Sequence, residues 1–405
     1  MSNKMSNMIK FDEALEIVLS SVVRGTGGEK VSLSLANGRI LDKDITSDID
    51  IPPFDKSAMD GYACRAADLD TLDDTGSPPL KLVETIAAGH KPQKAIGRGE
   101  CSKIMTGAMI PEGADCVVMV EHTQENKGLV RVLKKEGASN ISRRAEDLKA
   151  GDIVLSRGTR ITPAEIAVLA SVGCAEVPVA RRPVVGVLAT GSELVEPSRK
   201  PDPVQIRNSN SYQLCAQLER AGCLPRYFGI AEDTPQAIDR MLKDALQESD
   251  VVLLSGGVSM GDFDFVPEIL RQNCVDLKFE KVAVKPGKPT VFGIRGDTYF
   301  FGLPGNPVST FILFEILVRP LLFKLMGSFD RRIRVKARLK GTVKRKKTER
   351  MEIIPVRLNA DGLVDRLEYH GSAHINAYVK ADGIIALDRG VEEIKAGTEV
   401  IVTLI

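Results

Sequence analysis

The middle of the chain alternates short apolar runs with glycine-containing turns and helical stretches. Apolar runs lie at 184–189, 251–254 and 299–303, and the turns that follow them lie at 190–193, 255–262 and 304–309. Short apolar runs that lead into helices are typical of parallel strands buried on both faces of a sheet. Because ligands bind at the carboxyl ends of such strands, the pattern predicts a binding site at the three turns.

The residues of the three turns favour an anionic ligand. Glycine allows a ligand to approach the backbone closely, and the first turn of a helix offers unpaired N–H groups to an anion. We therefore predict a phosphorylated or otherwise anionic ligand. The residues predicted to bind it are Gly191, Ser255, Gly256, Gly257, Pro304, Gly305 and Asn306.

Apolar residues at helical spacing predict helices elsewhere in the chain. One such pattern covers residues 11–22, and another begins at Pro163, which suits the first turn of a helix. Helical stretches at 210–221 and 235–248 separate the apolar runs of the central segment. This alternation of strand and helix over residues 181–327 predicts a doubly wound α/β domain.

The segments on either side have a different pattern. Residues 48–146 are rich in glycine, proline and short apolar runs such as 116–120, which predicts a small β-rich domain. Basic and apolar residues alternate from 332 to 339, as in a strand with one basic face. The remainder, to residue 405, has the pattern of short strands between glycine turns, which predicts a small β-barrel or sandwich.

Composition limits the classes of function. The 405 residues predict two to four domains, and the net charge of +1 provides no global field to attract nucleic acid or a membrane. Any anion site must therefore arise from local placement of charge. Residues 311–326 are apolar but contain Glu315, Arg319 and Pro320, so we predict a buried helix there and no membrane span.

Cysteine usage predicts a reducing compartment. Seven cysteines are scattered without a C-x-x-C pair, which favours free thiols over disulfides or structural zinc. The N-terminal residues lack the charged and apolar regions of a secretory leader. We therefore expect a cytoplasmic protein.

The pentapeptide 285–289, Lys-Pro-Gly-Lys-Pro, is the clearest chemical signal in the chain. Two prolines and a glycine restrict the backbone, and Lys285 and Lys288 project from it. Ammonium groups held in this way suit a phosphate or another oxyanion. The alternative is a basic surface turn.

Carboxylates cluster on the predicted binding turns. They are Glu193, Asp233, Asp262 and Asp264. Carboxylates beside phosphate-binding loops suit Mg²⁺, a hard cation that bridges to phosphate oxygens. The alternative is that Asp233 and Asp262 cap the helices that follow them.

Three polar segments remain undecided on physical grounds alone. Residues 55–63 and 103–108 have the composition of turns with polar groups. The basic run 344–347 is either a solvated loop or the rim of an anion site. No Walker-type motif and no Ser-His-Asp arrangement is present, so a phosphate-transferring kinase or a serine hydrolase is disfavoured.

Six strings of residues together resemble the MoeA family of molybdopterin molybdenumtransferases, which is related to the C-terminal domain of gephyrin. They occur in family order and span nearly the whole chain. The strings are 57–63, 104–108, 190–194, 255–262, 285–289 and 303–309.

The resemblance implies four domains and an elongated homodimer. An extended discontinuous domain would comprise residues 8–47 and 147–180, with the β-rich domain inserted at 48–146. The α/β molybdopterin-binding domain would cover 181–327, and a C-terminal β-barrel would cover 328–405. In a dimer of the family type, Asp60 and Thr106 would approach the α/β cleft of the partner subunit.

The resemblance also implies an activity. The family inserts molybdate into the dithiolene of adenylylated molybdopterin, in a Mg²⁺-dependent step that releases AMP. A molybdopterin adenylyltransferase would be the partner that supplies this substrate. The alternative is a non-catalytic molybdopterin-binding or scaffolding protein of the gephyrin type.

Functional positions of the family can be carried over residue by residue. The catalytic positions are Asp60, Thr106, Glu193, Asp233 and Asp264, of which the last three are the metal-binding candidates. The substrate-binding positions add Lys285, Lys288, Arg350 and Ser372. Ser192 and Pro355 differ from the residues that are common at these positions in the family. These differences leave the choice between molybdate and tungstate open.

Overall fold

The computed structural model describes residues 8–70, 72, 76–134, 139–258, 265–368, 371 and 373–405. The chain forms two compact units. The larger contains the segments up to residue 43, 157–162 and 177–405, and the smaller contains 44–156 and 163–176. This division does not separate the four predicted domains, so their boundaries remain a prediction.

The helices of the described residues fall mostly in the larger unit. The α-helices are α1 (Phe11–Ser20), α2 (Pro163–Ser171), α3 (Asn210–Arg220), α4 (Pro235–Glu248), α5 (Val266–Gln272), α6 (Pro307–Leu313) and α7 (Arg319–Leu325). A π-helical segment, Phe314–Val318, joins α6 to α7. Short 3-10 helices lie at Leu33–Leu35, Ala66–Leu69, Val120–His122 and Ile375–Lys380.

Strands account for most of the remaining ordered structure. Before residue 181 they are β1 (Gly28–Ser32), β2 (Ile45–Thr46), β3 (Lys56–Ser57), β4 (Gly61–Cys64), β5 (Leu80–Ile86), β6 (Glu100–Ile104), β7 (Cys116–Met119), β8 (Thr123–Asn126), β9 (Leu129–Val132), β10 (Ile141–Ser142), β11 (Ile153–Leu155) and β12 (Glu176–Ala180). From 181 to 327 they are β13 (Val184–Thr190), β14 (Leu194–Val195), β15 (Ile206–Arg207), β16 (Leu224–Ala231), β17 (Val251–Ser255), β18 (Asp276–Lys281), β19 (Val284–Lys285), β20 (Pro289–Arg295) and β21 (Thr298–Leu303). The last are β22 (Arg334–Leu339), β23 (Val343–Lys344), β24 (Met351–Leu358), β25 (Leu363–Arg366), β26 (Gly383–Leu387), β27 (Glu393–Ile394) and β28 (Glu399–Leu404).

The central sheet of the larger unit has the order β16-β13-β17-β21-β20-β18. Its first four strands are parallel, whereas β20 is antiparallel to both of its neighbours. The three apolar runs of the sequence form β13, β17 and β21, so the predicted doubly wound arrangement is confirmed. An antiparallel strand near the edge is common in sheets of this type.

Side chains of the central strands alternate between two cores. Leu188 and Leu254 point to the face that α4 and α5 cover, where Ile238 and Ile269 pack on them. The opposite face is covered by α1, α3, α6 and α7. Because both faces are buried, these strands need apolar residues at every position, which produced the continuous runs in the sequence.

The start of α4 corrects one alternative from the sequence. Thr234, not Asp233, caps the helix, since Thr234 Oγ1 accepts a hydrogen bond from the N–H of Ala237 at 3.3 Å. Pro235 then occupies the first helical position, where a missing N–H costs nothing. Asp233 lies one residue too early to cap and is free to make other contacts.

The C-terminal segment forms a barrel. Strands β24, β25, β22, β28 and β26 pair in this order, and β26 pairs back with β24, which closes the ring. Of the two predicted alternatives, the barrel is therefore confirmed and the sandwich is wrong. Strand β19, which ends at the first lysine of the pentapeptide, pairs with β24 of this barrel.

The smaller unit is built on a six-stranded sheet of order β7-β4-β6-β5-β9-β8. Its core contains Tyr62, Leu80 and Val118, and each is at most 2% exposed. The predicted β-rich domain is thus confirmed as a fold. Within this unit β3, which precedes the turn at Asp60, pairs with β10.

The apolar stretch 311–326 is buried, as predicted, and it contains a charged residue at its centre. Glu315 is fully buried in the π-helical segment and accepts hydrogen bonds from Gln217 (2.6 Å), Arg220 (2.5 Å) and Arg319 (3.2 Å). Among the described residues, no helix is long and apolar enough to cross a membrane.

Replacing Glu315 with glutamine is expected to lower the free energy of unfolding by about 2 kcal/mol, because the side-chain volume is kept while Arg220 and Arg319 lose a buried counter-charge. Chemical denaturation followed by circular dichroism measures this. Glu248→Gln is the matched control, since its pair with Arg226 is exposed, and a change below about 1 kcal/mol is expected there. Equal effects of the two variants would contradict the importance of the buried cluster.

Candidate functional site

The centre of the main sheet holds a crevice at its carboxyl edge. After β13 the chain passes to α3 on one face, and after β17 it passes to α5 on the other. Since β13 and β17 are neighbours whose following helices lie on opposite faces, a crevice opens between the ends of these two strands. Open α/β sheets bind ligands at such a point.

Gly256 is required by the fold itself. Its φ is +102°, and a Cβ atom there would lie 2.3 Å from the carbonyl oxygen of Thr190. The turn after β17 therefore passes close against the end of β13, and only glycine permits this approach. The sequence predicted the glycine for ligand access, and the structure adds this packing reason.

A cavity of about 240 Å³ opens at this crevice. It brings together seven of the predicted residues, namely Gly191, Glu193, Asp233, Ser255, Gly256, Gly257 and Gly305. We call it the switch-point cavity. Its mixture of backbone groups and carboxylates suits a polar ligand held by its anionic and metal-binding groups.

Asp233 anchors the first turn of the site. Its carboxylate accepts hydrogen bonds from Thr190 Oγ1 and from the backbone N–H of Ser192 at 3.1 Å. These contacts tie the loop after β16 to the loop after β13. Glu193, by contrast, is exposed and its carboxylate lies against Gly191.

Asn210 is a site residue that the sequence did not reveal. Its Nδ2 group donates to Ser255 Oγ at 2.8 Å and to the carbonyl oxygen of Gly305 at 2.7 Å. One side chain at the start of α3 thereby joins the end of β17 to the turn after β21. Asn210 lines the cavity, is 8% exposed, and its Oδ1 has no hydrogen-bond donor among the described residues.

A second cavity, of about 420 Å³, lies at the lysine pentapeptide. Five predicted residues line it, namely Lys285, Lys288, Pro304, Asn306 and Arg350. Ser309, Glu352 and Arg366 also line it. We call it the lysine-loop cavity.

The two cavities lie on either side of the turn after β21. Pro304 and Asn306 line the lysine-loop cavity, whereas Gly305 and Pro307 line the switch-point cavity. The sequence predicted one binding site at the three turns, and the structure divides the residues of the third turn between two adjacent cavities. A single turn can therefore contact ligands on both sides.

The lysine-loop cavity has a surplus of positive charge. Lys285 pairs with Glu352 at 2.8 Å. Within the described part of the chain, Lys288, Arg350 and Arg366 form no ion pair with a carboxylate. Three cations without counter-charge repel one another, so an anion that enters between them is bound favourably.

The smaller unit holds Asp60 and Thr106 together. Asp60 Oδ1 accepts hydrogen bonds from the backbone N–H of Thr106 at 2.7 Å and from its hydroxyl at 2.9 Å. These bonds, the backbone one foremost, lower the pKa of Asp60 below its ordinary value. Their contribution to stability is therefore complete above the pKa of an unfolded aspartate and is lost as the pH falls through the folded value.

Replacing Thr106 with valine is expected to raise the pKa of Asp60 only part of the way to its ordinary value, because the backbone N–H remains as a donor. Carbon-detected NMR titration of the carboxyl group measures the shift. Thr106→Ser keeps the hydroxyl and should leave the pKa unchanged. A full return to the ordinary value in the valine variant would show that the backbone bond contributes nothing.

Two predicted residues, Asp264 and Ser372, lie outside the described residues, as does Asp262. Among the residues that are described, no group of three or more His, Cys, Asp or Glu side chains converges as a metal site. Glu193 and Asp233 do share the switch-point cavity, and two carboxylates with room for water fit a hard cation such as Mg²⁺.

Three models of protein families match successive segments of the chain. Residues 9–173 match the family model described as MoeA N-terminal region (domain I and II). Residues 186–324 match a probable molybdopterin binding domain, and residues 336–405 match the MoeA C-terminal region (domain IV).

Individual relatives are similar over most of their length. The chain is 40% identical to the molybdopterin molybdenumtransferase of Bacillus subtilis, across 78% of this chain and 74% of that protein. It is 36% identical to the protein of the same name from Staphylococcus epidermidis, across 100% of this chain and 97% of that protein. A crystal structure of molybdopterin biosynthesis MoeA protein from Pyrococcus horikoshii OT3 matches with a TM-score of 0.87 and 31% identity, covering 98% of this chain and 100% of that one. With these similarities and the fold described above, the chain belongs to the MoeA family of molybdopterin molybdenumtransferases, which are enzymes of molybdenum cofactor biosynthesis.

Proposed function

We propose that this enzyme inserts molybdate into adenylylated molybdopterin in a Mg²⁺-dependent step that releases AMP. The observation that carries the proposal is the group of uncompensated cations in the lysine-loop cavity, directly beside the glycine turns. Molybdate and the dithiolene are both anionic and repel each other. Lys288, Arg350 and Arg366 would reduce that repulsion and hold the oxyanion in place for the reaction.

The switch-point cavity would bind the pterin substrate. The backbone of Gly256 and Gly257 is open to close approach by a phosphate group. Asn210 holds the end of β17 and the turn after β21 in a fixed arrangement, so the N–H groups there need no rearrangement on binding. A rigid set of donors loses little entropy when the substrate arrives.

Glu193 and Asp233 would hold Mg²⁺, with Asp264 as a further ligand in the same proposal. When bound, the cation offsets negative charge at the phosphoanhydride as it breaks. The contribution of the chain is to place two carboxylates in one cavity and to hold Asp233 through Thr190 and Ser192.

The remaining functional positions belong to the same proposal. Asp60 and Thr106 would complete the site of a partner subunit in a homodimer, and Ser372 would contact the oxyanion. A molybdopterin adenylyltransferase would supply the substrate in the cytoplasm. Tungstate is the alternative oxyanion, and a scaffolding protein of the gephyrin type is the alternative function.

Incubation of the purified chain with adenylylated molybdopterin, Mg²⁺ and molybdate, with AMP followed by chromatography, tests the proposal. AMP release should require both the cation and the oxyanion. Glu193→Gln should raise the Mg²⁺ concentration needed, whereas Glu232→Gln, an exposed neighbour of Asp233 outside the cavity, should not. Binding of the substrate without AMP release under any of these conditions would favour the scaffold.

A further inference from the structure

A third cavity, of about 320 Å³, adjoins the lysine-loop cavity on the barrel side. Strand β23 and the loop that follows it supply most of its lining, through Lys344, Arg345, Lys346, Lys347 and Arg350. We call it the basic-loop cavity. It shares Lys285, Arg350, Glu352 and Arg366 with the lysine-loop cavity, so the two cavities adjoin at these residues.

Arg345 gives the loop a defined shape. Its side chain is 5% exposed, and it donates hydrogen bonds to the carbonyl oxygens of Val391 (2.6 Å), Arg350 (2.8 Å) and Asp388. A buried guanidinium that binds three carbonyl groups holds the loop against the segment 388–391. Of the two alternatives open from the sequence, a freely solvated loop is therefore disfavoured.

Of the described cations at this cavity, Lys285, Lys344 and Arg345 pair with carboxylates, but the others do not. Among the described residues, Lys346, Lys347 and Arg366 form no ion pair. Other lysines of the barrel do form pairs, such as Lys336 with Glu399 at 3.0 Å and Lys340 with Asp365 at 3.6 Å. Unpaired cations that converge on one space repel each other, and an anion in that space removes the repulsion.

Glu352 lies at the boundary between the two cavities. Its side chain is 6% exposed, it pairs with Lys285, and its second oxygen lies 3.8 Å from Arg345 without a hydrogen-bond donor. The pairing of β19 with β24 puts Lys285 and Glu352 directly opposite each other. A buried carboxylate at this position repels anions locally, so it favours two separate anion positions over one shared one.

We propose that the basic-loop cavity is a second anion subsite, which binds a phosphate monoester while the oxyanion occupies the lysine-loop cavity. The flexible ammonium groups of Lys346 and Lys347 suit a phosphate as point charges, and Arg366 can bind its oxygens in pairs. Resting on the proposed function, this subsite receives the phosphate of AMP after the phosphoanhydride in the switch-point cavity has broken. Arg350 and Arg366 then contact both anions.

Isothermal titration calorimetry of the full chain with AMP, with inorganic phosphate and with tungstate, at one ionic strength, tests the subsite. The double variant Lys346→Ser with Lys347→Ser should bind AMP and phosphate about 10-fold more weakly, as expected for two exposed charge contacts, and tungstate as before. Lys288→Ser should weaken tungstate alone. The double variant Lys336→Ser with Lys340→Ser has the same change of charge on the same barrel and should alter none of the three.

The outcomes separate this inference from the proposed function. Equal loss of AMP and phosphate in the loop variant identifies the phosphate group as the part that is recognised. AMP affinity that is unchanged in the loop variant, or reduced equally by the Lys336 and Lys340 control, overturns the subsite. Because binding is measured without turnover, intact AMP binding together with no AMP release would overturn only the proposed reaction.

Discussion

Gly256→Ala is expected to lower the free energy of unfolding by about 2–5 kcal/mol and to abolish substrate binding at the switch-point cavity. The φ of +102° costs an alanine about 1–2 kcal/mol. The new Cβ would also lie 2.3 Å from the carbonyl oxygen of Thr190, and the backbone of β13 cannot move aside without disturbing the sheet. Overpacking of this kind adds about 1–3 kcal/mol.

Gly229→Ala is the matched control for this prediction. Gly229 lies in β16 of the same sheet with a φ of +103°, and a Cβ atom there meets nothing within 4 Å. Its replacement should therefore cost only the conformational part, about 1–2 kcal/mol. Chemical denaturation of both variants, followed by circular dichroism, measures the difference. Equal losses would show that the close contact with Thr190 contributes nothing.

Lys288→Ala is expected to reduce kcat/KM for the oxyanion by about 100-fold, the effect typical of removing one group that stabilises charge in a reacting site. Lys288 lines the lysine-loop cavity and, within the described residues, has no carboxylate partner. Its full charge is therefore available to the ligand. Steady-state AMP release at varied molybdate measures the effect.

The control for Lys288, which directly precedes β20, is a lysine of the neighbouring strand β18 that already has a partner. Lys278 pairs with Asp276 at 2.5 Å on β18, so Lys278→Ala should change kcat/KM less than about twofold. Lys288→Arg keeps the charge and should recover part of the activity. A Lys288→Ala variant with normal kinetics and a normal fold would place the oxyanion elsewhere.

The order of elements along the chain was predictable because its signals are local. Proline at the first helical position and apolar residues at helical spacing predicted 235–248, and α4 has those bounds. Continuous apolar runs predicted β13, β17 and β21, since strands that are buried on both faces have no polar positions. The basic face of β22 followed from strict alternation in the same way.

Parts of the candidate site were not predictable, because they depend on residues far apart in the chain. Asn210 contacts Gly305 across 95 positions, and an asparagine at the start of a helix has no pattern that distinguishes this role from capping. Glu352, two residues after Arg350, has no distinguishing feature in the sequence, and only the pairing of β19 with β24 puts it opposite Lys285. The sequence predicted Asp233 as a site residue. Its hydrogen bonds to the end of β13 could not be predicted, because they join two loops that are distant in the chain.

Periodicity, turn chemistry and the family motifs were sufficient to assign the fold class and to select Lys285, Lys288 and Arg350, which line one cavity. These properties depend on residues that are close together in the sequence, because their spacing determines whether a segment forms a helix, a strand or a turn. Which cations keep a counter-charge, and how the turn after β21 separates two cavities, depended on long-range packing. Pairing between distant strands is selected by the free energy of the whole fold, and no short stretch of sequence contains that information.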